Sequence, residues 1–125
     1  MPRDTFTDFS VHTAPTDDGG TEITIFGELD LATVGPVNEA VAGALEATGH
    51  VVIDLRACPF VDSRGIAVLA RAAVSLRSQN RMLHIRGVQG RVKRILDIAG
   101  LTTSDLLTVE LEPSPSEPPP LQDKP

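Results

Sequence analysis

The chain has no Trp and no Tyr, only four Phe, and a single cysteine among its 125 residues. Proteins that hold single-stranded nucleic acid stack its bases on aromatic side chains, and that equipment is missing. With Cys58 alone, neither an intrachain disulfide nor a multi-cysteine zinc site can form. Long apolar runs are absent as well. Arg71 and Arg77 interrupt the longest helix-like apolar stretch well short of a bilayer crossing. The opening Met1-Pro2-Arg3-Asp4-Thr5 lacks the apolar centre of a signal peptide. These absences predict a cytoplasmic protein without membrane insertion. No P-loop, dinucleotide fingerprint or metal-ligand cluster occurs, so no cofactor and no metal are expected.

What is present suits one globular domain with a core of Val, Leu, Ile and Ala. Hydrophobic residues make up 41% and charged residues 22%, too apolar for a disordered chain. The net charge of −6 hides an asymmetry. Through Asp62 there are eleven acids against two bases, −9; from Ser63 onward nine bases face six acids, +3. The basic excess lies in Arg64, Arg71, Arg77, Arg81, Arg86, Arg91, Lys93 and Arg94. The overall acidity favours solvated outer faces of helices over a nucleic-acid footprint, and a protein surface of opposite charge stays open.

Along the chain, Phe9, Val11 and Thr13 alternate with polar residues, and Ile23 and Ile25 do so again after the turn residues Asp17-Asp18-Gly19-Gly20. This predicts an opening antiparallel hairpin. Thr33 is placed to cap a helix with Pro36 in its first turn and Gly49 as its stop. Val51–Leu55 reads as a buried strand, followed by a helix from Ser63 to Gln79-Asn80 with Ile66, Leu69, Ala70, Ala73 and Leu76 on one stripe. A fourth strand over Met82–Ile85, broken by Gly87 and Gly90, precedes a helix that ends at Gly100, and Leu106–Leu111 supplies a last strand. Strands separated by helices predict an α/β fold, a mixed and mostly parallel sheet packed with helices, over residues 5–112. The Pro-rich tail 113–125 is expected to be disordered, so that deleting it should shift the melting temperature by no more than about one or two degrees.

The most informative stretch is Asp62-Ser63-Arg64-Gly65, where a loop from a strand end becomes a helix start. Ser63 there has two readings: a helix cap, or a phosphate acceptor at a helix N-terminus. Asp30 and Asp62 each follow a strand, so a parallel sheet brings both to one edge.

Gly27-Glu28-Leu29-Asp30, then Asp62-Ser63-Arg64-Gly65, then Val92 to Leu96 ending at Gly100-Leu101, form an ordered set of motifs. In these the chain resembles the STAS domain, the anti-sigma factor antagonist family, over roughly residues 6–111. The resemblance implies a protein that binds an anti-sigma factor serine kinase, releases a sigma factor, and is switched off when Ser63 is phosphorylated. It implies a docking surface centred on Glu28, Asp30, Asp62, Ser63, Arg64 and Gly65. Common switching members carry Ser or Thr where Arg64 stands. Arg64 leaves open a STAS module that binds without switching, in a stress-signalling scaffold or a lipid transporter. A small serine hydrolase is disfavoured: the tight-turn glycine of a nucleophile elbow is missing, no histidine is placed as a base, and Asp62 would oppose a developing oxyanion.

Overall fold

The computed structural model describes residues 9–103 and 105–111; the expectations for the tail and for the domain start at residue 5 lie outside them. Five strands run β1 (Ser10–Pro15), β2 (Thr21–Phe26), β3 (Val51–Asp54), β4 (Leu83–Val88) and β5 (Leu107–Leu111). Three helices alternate with the last four: α1 (Val34–Glu46), α2 (Ser63–Arg77) and α3 (Gly90–Ile98). The strands lie side by side in sequence order, β1 antiparallel to β2 and all other pairs parallel. The predicted α/β architecture is the observed one.

Period-two alternation decides which face is covered. Ile23 and Ile25 of β2, Val51 and Ile53 of β3, and Leu83 and Ile85 of β4 are all buried in one cluster. Val37, Val41, Leu69, Ala73, Leu76, Val92 and Leu96, from all three helices, belong to that cluster. All three helices thus pack on the same side of the sheet, and the protein has two layers. The opposite face carries Glu22, Thr24, Val52, Asp54, His84 and Arg86.

Local details depart from the sequence reading in three places. Thr33 does not cap α1 with its side chain; its hydroxyl turns back to donate to the Glu28 carbonyl at 2.7 Å. Gly87 does not end the fourth strand. β4 runs on to Val88, with Gly87 at φ +72° and an irregular register to β5 between Ile85 and Val88. A glycine absorbs that kink because it adopts positive φ freely. Finally, α2 stops at Arg77, and the chain turns through Asn80 in the left-handed region.

Candidate functional site

Beyond β2 and β3 the two chain segments stay together. Leu29 and Val61 form an isolated parallel bridge, with the Leu29 N–H donating to the Phe60 carbonyl and the Asp62 N–H to the Leu29 carbonyl. The pairing puts the loop holding Glu28 and Asp30 beside the loop that enters α2. Five of the six expected site residues, Glu28, Asp30, Asp62, Ser63 and Arg64, are thus gathered at one edge of the sheet.

Asp62 is the residue that caps α2. Its backbone is extended, and its Oδ1 accepts from the Arg64 N–H at 2.9 Å and the Gly65 N–H at 3.0 Å. Its carbonyl takes the Ile66 N–H, starting the helical ladder. The cap reading therefore belongs to Asp62, and Ser63 is the first helical residue. Ser63 is exposed, and its hydroxyl has no hydrogen-bond partner among the described residues. That hydroxyl is open to a modifying enzyme.

Gly65, the sixth expected residue, is buried beneath this edge. A Cβ there would stand 2.7 Å from Val61 Cγ1 and 2.8 Å from Leu29 Cγ. Its lack of a side chain lets the first turn of α2 rest on the Leu29–Val61 bridge, so Gly65 shapes the edge from inside.

Asp30 is tied into its own loop. Its carboxylate accepts from the Ala32 N–H at 3.0 Å, and the Thr33 hydroxyl accepts from the Asp30 N–H at 2.9 Å. Glu28 and Arg64 are exposed. Two apolar side chains stand among these charges: Leu31 is 63% exposed and Phe60 38%. Both would lose water-exposed apolar area if another surface packed against this edge. Sequence reasoning missed both. Leu31 follows Leu29-Asp30 and Phe60 precedes Val61, so each looks like part of an apolar run until the bridge shows which residue faces inward.

Nothing at this edge is arranged for acyl transfer. His50 sits ahead of β3, at the end opposite Ser63, and its Nδ1 accepts from the Met82 N–H at 3.0 Å. His84, within β4, has Thr108 as its partner. Cys58 is fully buried below Phe60, and burial, only partly opposed by hydrogen bonds, pushes its thiol pKa up, away from thiolate reactivity. Among the described residues no group of three His, Cys, Asp or Glu could hold a metal, and no helix is long and apolar enough to cross a membrane.

Comparison with known proteins places this geometry. The STAS domain model matches residues 12–114. An anti-sigma-B factor antagonist of Staphylococcus epidermidis is 34% identical over 89 residues, covering 70% of this chain and 81% of that protein. An anti-sigma factor antagonist from Mycobacterium paratuberculosis has a similar structure, with a TM-score of 0.67 at 23% identity over 80% of this chain and 85% of that one. The Bacillus cell fate determinant SpoIIAA in its phosphorylated form superposes with a TM-score of 0.63 at 16% identity, over 80% of this chain and 90% of its own.

Proposed function

The chain belongs to the STAS domain family, and from that premise we propose that it is an anti-sigma factor antagonist. It binds an anti-sigma factor that is also a serine kinase, frees the sigma factor held there, and is switched off by phosphorylation of Ser63. The observation that carries this reading is the exposed, unbonded Ser63 hydroxyl at the centre of the gathered edge. Its support from relatives is the name of the staphylococcal protein, an anti-sigma-B factor antagonist, and the phosphorylated form in which SpoIIAA, a protein of similar fold, is known.

The switch follows from charge. A phosphate brings about −1.5 to −2 at pH 7. Two N–H groups of the first turn of α2 already serve the Asp62 carboxylate, so little of the helix N-terminus is left to absorb the new charge. Asp62 adjoins it in the chain, and Asp30 and Glu28 on the bridged loop add negative charge to the same edge. The added charge therefore acts outward, against whatever packs on Leu31 and Phe60, and affinity falls without refolding.

The test uses the purified cognate kinase with ATP. One phosphate should appear, located at Ser63 by peptide sequencing, and kinase affinity should fall in the order wild type and Ser63→Ala, then Ser63→Asp, then phosphoserine. Modification at another residue with Ser63 untouched would overturn the switch. The exposed Arg64 beside Ser63 favours a second reading, a binding module that does not switch. Partner binding that persists with no phosphate transfer to Ser63 in wild type, and rapid transfer in Arg64→Ser, would select it.

A further inference from the structure

The neighbouring helices α1 and α2 carry charges of opposite sign and do not use them on each other. α1 has two acids, Glu39 and Glu46, and no base; α2 has arginines at 64, 71 and 77 and no acid. Glu39 and Glu46 are seven residues apart, as are Arg64 and Arg71. Seven residues make two turns, so each pair stands on one line along its helix, its members about 10 Å apart. All four residues are exposed, and none of the four side chains has a hydrogen bond or ion pair among the described residues. By contrast Arg77 donates to the Asp105 carbonyl at 3.0 Å.

Two of these charges also oppose their own helices. Arg64 stands in the first turn of α2 and Glu46 in the last turn of α1, each at the end where the helix dipole favours the other sign. Local sequence choices that disagree with the fold are found at functional positions. Between the two charged lines runs a groove of about 210 Å³, with Val41, Leu45, Val68 and Ala72 among its lining. The helix layer thus presents an acidic ridge, an apolar furrow and a basic ridge, in that order. β2, β3 and β4 are parallel, so α1 and α2 run in the same direction. A half-turn about an axis along the furrow keeps that direction and exchanges left for right.

We propose that this layer is the contact between two copies of the chain, related by that axis, with Glu39 and Glu46 of each facing Arg64 and Arg71 of the other. Every contact then occurs twice, as in an isologous dimer. The surface itself names the occupant. It needs a basic and an acidic line at two-turn spacing, side by side in the reversed order, and a second copy supplies both. The net charge of −6 on each copy opposes approach. Charges more than about 8 Å apart are screened at physiological ionic strength, so the facing ridges decide. Exposed ion pairs fix register more than they add affinity, and the association is weak and reversible. Arg64 engaged by a second copy is withheld from any other partner of the Ser63 edge.

The test needs no sigma-factor partner and is independent of the proposed switch. Sedimentation equilibrium of the full chain, up to millimolar concentration, should show a monomer–dimer equilibrium. Glu39→Arg with Glu46→Arg makes both ridges basic, and Arg64→Glu with Arg71→Glu makes both acidic. Each variant should dimerise at least tenfold more weakly than wild type, and the milder Glu39→Gln with Glu46→Gln should weaken it in the same direction. Mixed in equal amounts, the two reversed variants should associate again as a heterodimer. The four positions are exposed, and Arg64→Glu and Glu46→Arg suit the helix dipoles, so circular dichroism should stay native. The proposal is overturned if wild type stays monomeric, if either reversal leaves dimerisation unchanged, or if the mixture does not associate. A dimer that persists in both reversed variants would place self-association on another surface.

Discussion

A single residue decides how α2 begins. Asp and Ser are both good helix caps by chemistry, so sequence alone does not say which of the adjacent Asp62 and Ser63 does it. The choice rests on one pair of backbone angles, which Asp62 adopts at φ −97° and ψ −172°. Two opposite outcomes follow. Asp62→Ala should cost about 1 kcal/mol of unfolding free energy, and Ser63→Ala close to nothing, both measured by urea denaturation. Equal losses would mean that the two share the cap. The separation also bears on the proposed switch: the group that stabilises α2 is Asp62, so a phosphate on Ser63 would leave the helix start in place. Gly65 makes a harsher prediction. Even Gly65→Ala meets the Leu29 and Val61 side chains and the Leu29 carbonyl at 3.0 Å or less. The first turn must shift, at about 1–3 kcal/mol, and Gly65→Arg should cost more, losing native stability along with partner binding.

Among the elements, the strands were legible wherever apolar residues alternate over a full span, as in Thr21–Phe26, and α2 was legible from its stripe. Elements blurred where backbone geometry overrides composition. Gly87 looks like a strand breaker, but β4 carries it through an irregularity at positive φ. The edge at Ser63 was half legible. Asp30 and Asp62 were expected together because both follow strands, whereas Leu31 and Phe60 emerge only once the Leu29–Val61 bridge fixes which neighbours face inward. The open face of the sheet holds another pattern that sequence spacing hides. Asp54, 1% exposed, accepts from Arg56 Nη2 at 2.9 Å and Arg86 Nε at 3.3 Å, and Arg86 also pairs with Glu22. These ties cross β2, β3 and β4. Asp54→Asn leaves two cations without their shared carboxylate and should cost about 2 kcal/mol, read from chemical denaturation. A change below a few tenths would show that the surrounding water substitutes for it.

For the molecule as a whole, that same carboxylate contributes to the acid limit. Burial works to raise the Asp54 pKa, but hydrogen bonds and charge from Arg56, with a further bond from Arg86, outweigh it and hold it below the ordinary 3.8. A depressed carboxyl stabilises the fold above its unfolded pKa, and that contribution is lost as pH falls through the folded value. The melting temperature should therefore vary little from this source between pH 7 and 5 and drop below about pH 4. In Asp54→Asn the acid slope should be shallower, and an unchanged slope would place the acid sensitivity elsewhere. The strand order, identical to the order of the chain, carries one more consequence. Every residue of the Ser63 edge and the whole of α2 have been synthesised by Arg77, before β4 and β5 exist. At about 5–20 residues per second, the remaining strands follow within seconds. Each new strand needs only the one made just before it, so the sheet can grow in step with translation, and the edge from Glu28 to Gly65 is made before the last two strands emerge.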